Sequence, residues 1–142
     1  MGLRDRFSQW LAAWQRKRSL GHRGETLAAR FLKKKGYRIL ARSDRQRLGE
    51  IDLIALDVRT LVFVEVKTRR SHEKGHPADA VDQAKQRRLT RLALMYLKKN
   101  GLLEHPVRFD VVAITWGEPR QAADIQHYRH AFEATGSGSC FS

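Results

Sequence analysis

The chain has 142 residues, a length that suits a single domain with a substantial buried core. Its 28 Lys and Arg outnumber 15 Asp and Glu, and the formal net charge of +13 points to a polyanionic partner such as nucleic acid or an acidic membrane surface. No apolar run approaches the roughly 20 residues of a transmembrane helix, no secretory signal is recognisable, and the single cysteine, Cys140, cannot form an intramolecular disulfide. We therefore expect a cytoplasmic protein.

The positive charge is concentrated in the first third of the chain. Residues 1–48 hold 14 Lys and Arg and 3 acids, a balance of +11, whereas residues 49–142 hold 14 and 12, a balance of +2. This split predicts that the first 48 residues contact phosphates, while the acidic residues that follow are available for chemistry.

The first residues predict a short amphipathic helix. Between residues 3 and 18, large apolar side chains recur at helical spacing among basic ones, namely Phe7, Trp10, Leu11 and Trp14. We favour a helix that docks on the domain or extends from it, and a membrane-surface or nucleic-acid-binding arm is the alternative. We place an N-terminal extension at 1–20, the domain at 21–134 and a disordered Gly/Ser tail at 135–142.

The next segment predicts a helix followed by a strand. Residues 21–35 carry an apolar stripe formed by Leu27, Ala28, Phe31 and Leu32. Gly36 is the glycine expected after a helix C-terminus, and residues 37–42 read as a strand. Glu25 stands near the helix start, where the helix dipole favours an anion.

The polar segment from Ser43 to Gly49 predicts a loop with two open interpretations. It contains Arg45, Gln46 and Arg47. One interpretation is a solvated connection, the commonest fate of such a segment. In the other, Arg45 and Arg47 hold a phosphodiester by the bidentate contacts that suit arginine.

Residues 49–68 predict a β-hairpin around which the rest of the chain is organised. Two apolar runs rich in β-branched residues flank a polar break at 57–60. We expect Asp57 and Thr60 to close the turn. Because side chains alternate between the two faces of a strand, this register decides which polar residues meet.

Four charged residues of the hairpin share one face in that register. Asp52 falls opposite Glu65, and Glu50 falls opposite Lys67. Two opposed carboxylates in an otherwise apolar hairpin need a compensating charge. The arrangement predicts a divalent cation held by oxygen ligands. A surface hairpin with a Glu50–Lys67 ion pair and a solvated Asp52 is the alternative.

The order of these residues resembles a known signature. Asp52, followed after a hairpin by Glu65-Val66-Lys67, resembles the D…ExK pattern of the restriction-endonuclease-like nucleases. The longer segments GEIDLIA and VFVEVKTR resemble the YraN-like family of predicted bacterial endonucleases, which is similar in fold to archaeal Holliday-junction resolvases. The resemblance covers about residues 21–116. It implies an α/β fold with a restriction-endonuclease-like core, in which a central mixed sheet with an antiparallel hairpin is flanked by helices.

The resemblance also implies an activity and roles for individual residues. It implies a protein that hydrolyses phosphodiester bonds, with DNA favoured over RNA as the substrate and with structured or branched DNA as one option. A homodimer is a candidate assembly. Asp52, Glu65 and the Val66 carbonyl would hold Mg²⁺ or Mn²⁺, which suit an all-oxygen site. Lys67 would orient the attacking water or stabilise developing charge, and Glu25 would be a third carboxylate. The alternative is a non-catalytic nucleic-acid-binding protein of the same fold.

A basic loop and a long helix follow the hairpin. Residues 68–76 are basic and polar, and Arg69 and Arg70 are candidate contacts to nucleic acid. Residues 77–100 predict the longest helix of the chain. In the family context, Lys85 could reach the site from the helix start; a solvated surface lysine is the alternative.

The last elements are predicted to be a strand and a helix. Residues 107–115 form a nearly continuous apolar run, typical of a buried strand. Asp110 is the acidic residue within this apolar run, and we predict that it forms an ion pair with Arg108 rather than acting as a metal ligand. Residues 122–134 predict a short closing helix, because helical spacing separates Ile125, Tyr128 and Phe132.

Overall fold

The structure is a computed structural model that describes residues 22–70, 81–117 and 122–134. The predictions for the N-terminal extension, for residues 71–80 and for the C-terminal tail lie outside these ranges. The elements in chain order are α1 (22–34), β1 (Arg38–Gln46), β2 (Gly49–Asp57), β3 (Thr60–Arg70), α2 (Gln83–Lys99), β4 (Val107–Trp116) and β5 (Asp124–Phe132).

The strands form one mixed sheet in the order β1-β2-β3-β4-β5. β3 and β4 are parallel, and the other three neighbouring pairs are antiparallel. The parallel pair requires a crossover connection, which contains α2. The predicted α/β class is confirmed, and the architecture is consistent with a restriction-endonuclease-like core.

The two helices cover opposite faces of the sheet. On β3, Val62 and Val64 belong to the core cluster that contains the apolar residues of α1, whereas Leu61 and Phe63 belong to the cluster that contains those of α2. Since successive residues of a strand point to opposite faces, the sheet lies between the helices. Burial on both faces explains why the middle strands are almost continuously apolar.

Helix α1 ends as its sequence predicts. Gly36 has a φ of +96°, and its N–H donates to the Lys33 carbonyl at 3.0 Å while the Tyr37 N–H donates to the Leu32 carbonyl at 3.0 Å. This left-handed glycine satisfies the last carbonyls of the helix. The chain then turns directly into β1, so the spacing between helix and sheet is fixed.

Helix α2 is shorter at its start than the predicted 77–100 span. Its N-cap is Asp82, whose Oδ1 accepts a hydrogen bond from the Lys85 N–H at 2.8 Å. The acceptor satisfies one of the free N–H groups of the first turn and sets where the helix begins. Across the described part of the chain, no helix combines the length and apolarity needed to cross a bilayer.

The β2–β3 hairpin has the predicted register. Asp57 pairs with Thr60, and the pairing continues to Leu53 with Val64. Val58, in the turn, has a φ of +56°. The turn residues therefore close the hairpin as the sequence indicates.

The predicted loop from Ser43 to Gly49 is wrong over most of its length. Strand β1 continues to Gln46, and Asp44 pairs with Ile51 while Arg45 pairs with Glu50. β1 is an edge strand, so its outward side chains remain polar and the usual apolar signal is weak. Only residues 47 and 48 form the turn.

The predicted closing helix at 122–134 is also wrong, because this segment is strand β5. Phe109 pairs with Phe132 and Val111 pairs with Tyr128, so β5 carries extra residues opposite Asp110. This bulge includes His130 at a φ of +51°. Ile125 packs with the core cluster on the α1 side, whereas Tyr128 and Phe132 pack with the cluster on the α2 side. Apolar residues on both faces of one strand give spacings of three and four, which imitate a helix.

Candidate metal centre

Asp52 lies where β2 and β3 stop pairing. The last paired residues are Leu53 and Val64. Beyond them, Asp52 Oδ2 accepts a hydrogen bond from the Val66 N–H at 2.8 Å. The carboxylate oxygen thus accepts a hydrogen bond that a backbone carbonyl of β2 would accept if the strands stayed paired. This bond fixes the carboxylate at the end of the hairpin.

Three carboxylates meet at this point of the fold. One oxygen each from Glu25, Glu50 and Asp52 lies within 4.8 Å of the other two. Oxygens around one Mg²⁺ at about 2.1 Å are separated by at most about 4.2 Å. Side-chain rotations that shorten these separations would make the three oxygens ligands of one ion. The donor set fits the cation that the sequence predicts.

A close helix–strand approach brings Glu25 to the group. A Cβ atom at Gly24 would lie 2.6 Å from Thr68 Cγ2. Only a glycine permits this approach of α1 to β3 without displacing the threonine side chain. Glu25 is the next residue and is buried, with 7% of its surface exposed.

Ser43 holds Glu25 from the other side. Its Oγ donates to Glu25 Oε2 at 2.5 Å. Its neighbours Arg42 and Asp44 pair with the residues on either side of Asp52, so Ser43 is level with that aspartate. The hydroxyl therefore attaches Glu25 of α1 to the edge strand at the level of Asp52.

Burial and the neighbouring charges favour the protonated, uncharged form of the Asp52 carboxyl group. Burial, with the charges of Glu65 and Glu25, raises the pKa of Asp52 to about 8, against the opposing effects of the Val66 N–H and Lys85. Removing a carboxylate from water and placing it beside like charges both disfavour its ionised form. At neutral pH this carboxyl keeps its proton unless a cation offsets the surrounding charge.

Glu65 lies beside the three-carboxylate group and contacts a lysine. Lys85 Nζ, from the first turn of α2, forms an ion pair with Glu65 Oε1, and both side chains are largely buried. The sequence predicts that Lys85, also a candidate contact to nucleic acid, could reach the site from the start of the helix, and the structure places it against an acidic residue of the candidate site.

The alternative interpretation of the hairpin, an ion pair between Glu50 and Lys67, is not observed. Among the described residues no ion pair joins them, and Glu50 Oε2 instead lies 3.5 Å from Arg45 Nε of the adjacent edge strand. β2 and β3 have separated before this level, so Lys67 is not held opposite Glu50. Lys67 remains a half-buried residue two positions after Glu65.

The remaining candidate contacts to nucleic acid occupy different surroundings. Arg47 is exposed in the β1–β2 turn, and Arg70 is exposed at the end of β3. Arg69 is half-buried, and its Nε donates to Thr115 Oγ1 at 3.3 Å. Arg45 and Lys85 are the two that border the acidic residues directly.

Sequence reasoning missed three features of this site. Glu50 was placed on the face that carries Asp52, but it was not included among the predicted metal ligands. Ser43 carried no signal, because its role depends on α1 packing beside β1. The contact between Lys85 and Glu65 depends on how α2 docks, which spacing along the chain does not determine.

The fold and the acidic group define an α/β protein with a restriction-endonuclease-like core and a candidate metal centre. The chain belongs to Uncharacterised protein family UPF0102, whose sequence model matches residues 24–114. This match includes all four acidic residues described above.

Bacterial relatives agree with this assignment. The chain is 52% identical over 126 residues to a UPF0102 protein of Rhodopirellula baltica, covering 86% of this chain and 75% of the relative. It is 57% identical over 100 residues to one from Symbiobacterium thermophilum, covering 70% of this chain and 85% of the relative. It is 50% identical over 114 residues to one from Geobacter sulfurreducens, covering 80% of this chain and 88% of the relative. Membership gives the family and names no reaction.

Proposed function

We propose that this protein is a metal-dependent nuclease that hydrolyses phosphodiester bonds, with DNA as the favoured substrate. One observation carries the proposal: Glu25, Glu50 and Asp52 converge within 4.8 Å in a chain whose net charge is +13. A basic protein attracts a polyanion, and an acidic group within it is suited to a divalent cation that the polyanion also contacts.

The oxygen donors suit Mg²⁺ or Mn²⁺ better than softer metals. Glu25, Glu50 and Asp52 would hold the ion, and Glu65 and the Val66 carbonyl are the further candidate ligands. When bound, such an ion polarises the scissile phosphate and lowers the pKa of an attacking water.

The cations around the site have separable roles in this proposal. Lys85 holds Glu65, and Arg45 holds Glu50, so each orients a carboxylate and presents positive charge to an entering phosphate. Lys67, after Glu65 on β3, orients the water or stabilises charge that develops in the transition state. Fixed cations in a partly buried site are effective because they need little reorganisation during the reaction.

One contact supports a second candidate function. The ion pair between Lys85 and Glu65 already neutralises one carboxylate. A non-catalytic nucleic-acid-binding protein would use such pairs structurally. It would bind DNA equally well with Mn²⁺ and with EDTA, and it would cleave no substrate.

A thermal-shift titration with Mn²⁺, run beside a DNA-cleavage assay, separates the two functions. Mn²⁺ should raise the melting temperature of the parent protein by binding the folded state, and should raise it much less in Asp52→Asn and Glu65→Gln. Lys67→Ala should keep the shift and lose cleavage. Glu104→Gln, which removes an exposed carboxylate from the loop before β4, is the matched control and should behave as the parent.

The substrates are branched, duplex and single-stranded DNA and single-stranded RNA, each with Mg²⁺, Mn²⁺ or EDTA. Metal-dependent cleavage that disappears in Asp52→Asn supports the nuclease. The absence of any Mn²⁺-dependent shift in the parent, with or without DNA, would refute it, and metal-independent DNA binding would then favour the binding protein.

A further inference from the structure

An open pocket lies between the β1–β2 turn and the C-terminal end of α2. Its volume is about 730 Å³. Pockets that enclose small ligands typically span ~300–1,000 Å³. The cavity is therefore of a size that admits a nucleotide.

Four cations border this pocket from two different elements. Arg45 and Arg47 come from the end of β1 and its turn, and Lys98 and Lys99 come from the last turn of α2. Lysines at a helix C-terminus offset the helix dipole, but that effect does not account for the two arginines on the opposite wall. The converging charges suit the phosphates of a polyanion.

Tyr96 adds an aromatic side chain to the pocket wall. Its ring packs edge-to-face with Phe63 of the core, with the centroids 5.8 Å apart. The contact holds the ring in one orientation, so little conformational freedom is lost when a second planar group packs on it. Asp44, also in the wall, accepts a hydrogen bond from Gln46 Nε2 at 2.9 Å.

One residue of the pocket wall also contacts the candidate metal centre. Arg45 borders the pocket, and its Nε lies 3.5 Å from Oε2 of Glu50, one of the three clustered carboxylates. A strand whose phosphates contact Arg45 would therefore pass directly from the pocket to the acidic group.

We propose that this pocket binds an unpaired nucleotide of the strand that enters the metal centre, with its base stacked on Tyr96 and its phosphates on the four cations. The inference rests on the proposed nuclease function and specifies its substrate: DNA with a single-stranded segment. Inside a duplex both faces of a base are covered by its neighbours, so only an unpaired base can stack on a side chain.

The test measures binding of a short fluorescein-labelled oligothymidylate and of a blunt duplex of equal length, by fluorescence anisotropy in EDTA. Tyr96→Leu should weaken oligothymidylate binding by roughly tenfold, the loss expected for one base–aromatic stack, and leave duplex binding unchanged. Tyr96→Phe keeps the ring and should bind as the parent does.

A pair of double variants tests the cations. Lys98→Gln with Lys99→Gln removes the pocket lysines, and Lys33→Gln with Lys34→Gln removes two exposed lysines from the last turn of α1. The net charge changes equally in both. The first pair should weaken oligothymidylate binding markedly more than the second.

Several results would overturn the inference. The inference fails if the two double variants lose equal affinity for oligothymidylate. It also fails if Tyr96→Leu weakens duplex and single-strand binding equally, or if adenosine monophosphate competes fully with an affinity like that of the strand. If the parent shows the Mn²⁺ shift and cleavage while Tyr96→Leu binds oligothymidylate normally, the pocket inference alone fails. If oligothymidylate binding depends on Tyr96 but the Mn²⁺ shift and cleavage are absent, the nuclease proposal alone fails.

Discussion

Ser43 Oγ donates a hydrogen bond of 2.5 Å to Glu25 Oε2, joining the edge strand to helix α1 at the candidate metal centre. Ser43 has a φ of +49°, a conformation that residues other than glycine seldom adopt. Such conformations persist where the surrounding structure enforces them, and they are frequent at functional sites. We infer that Ser43 positions Glu25.

Replacing Ser43 tests this positioning role. Ser43→Ala removes the hydroxyl, so Mn²⁺ affinity should fall by about tenfold or more, as when a residue that orients a metal ligand is lost. Ser43→Gly also loses the hydroxyl but adopts a positive φ without strain. It should bind Mn²⁺ as weakly as Ser43→Ala yet be more stable. Mn²⁺ thermal shifts and urea unfolding measure the two quantities, and unchanged Mn²⁺ affinity in both variants would contradict the role.

The raised pKa of Asp52 predicts how stability depends on pH. Its pKa is about 8 in the folded protein, against a reference value of 3.8. Between these values the folded state binds more protons than the unfolded state, so this group's contribution is complete below about pH 4 and is lost as pH rises through about 8. In EDTA, Asp52→Asn should therefore gain stability relative to the parent as pH increases over that range.

Urea unfolding at several pH values measures this difference, in which the titration of groups that do not interact with Asp52 cancels. Each unit of pKa shift corresponds to about 1.4 kcal/mol. The control is Glu104→Gln, whose unfolding free energy should follow that of the parent at every pH. Parallel curves for Asp52→Asn and the parent would show that the Asp52 pKa is not raised.

The elements predicted correctly are those whose signals are local. Two apolar runs rich in β-branched residues and the polar break between them sufficed for the β2–β3 hairpin, and a continuous apolar run sufficed for β4. β5 was missed because its apolar residues lie on both faces of the sheet: Ile125 packs with the α1-side cluster, and Tyr128 and Phe132 pack with the α2-side cluster. Burial on two faces depends on the tertiary packing of the sheet, and it cannot be read from the segment itself.

The site was predictable to the same limited extent. Asp52 and Glu65 were singled out because a hairpin register relates them. The group that converges consists of Glu25, Glu50 and Asp52, and it combines one helix with one strand. Helix docking contributes Glu25, and the separation of β2 from β3 determines which acids remain close.

The close contact between Gly24 and Thr68 predicts a mutation and its rescue. A Cβ at Gly24 would lie 2.6 Å from Thr68 Cγ2, which is too close to accommodate without movement. Gly24→Ala should destabilise the fold by about 1–3 kcal/mol, a typical cost of overpacking, and should weaken Mn²⁺ binding by displacing Glu25.

Thr68→Ser removes the clashing methyl group and keeps the hydroxyl. The double variant Gly24→Ala with Thr68→Ser should recover much of the lost stability and Mn²⁺ affinity, whereas Thr68→Ser alone should have a small effect. Urea unfolding of the four proteins gives the interaction energy. Additive losses would show that the contact does not set the position of α1.

A buried ion-pair network joins the hairpin turn to β4 and β5. Asp110 is fully buried, and it accepts hydrogen bonds from Arg108 Nε at 2.8 Å and His127 Nε2 at 2.7 Å. The predicted pairing with Arg108 is thus confirmed. Burial would raise the pKa of Asp110, but the hydrogen bonds from His127, Arg108 and the His130 N–H outweigh burial and lower it. Arg108 also contacts Asp57 of the hairpin turn at 3.0 Å.

Asp110→Asn should destabilise the protein by about 3–5 kcal/mol, because it leaves the buried Arg108 without its main counter-charge. Since the pKa of Asp110 is lowered, the stability it provides is present above its unfolded-state pKa and is lost as pH falls through the folded value.

The control is Arg129→Gln, which breaks an exposed ion pair with Asp57 and should cost less than about 1 kcal/mol. Urea unfolding at neutral pH compares the variants, and equal losses would show that Asp110 has no special role.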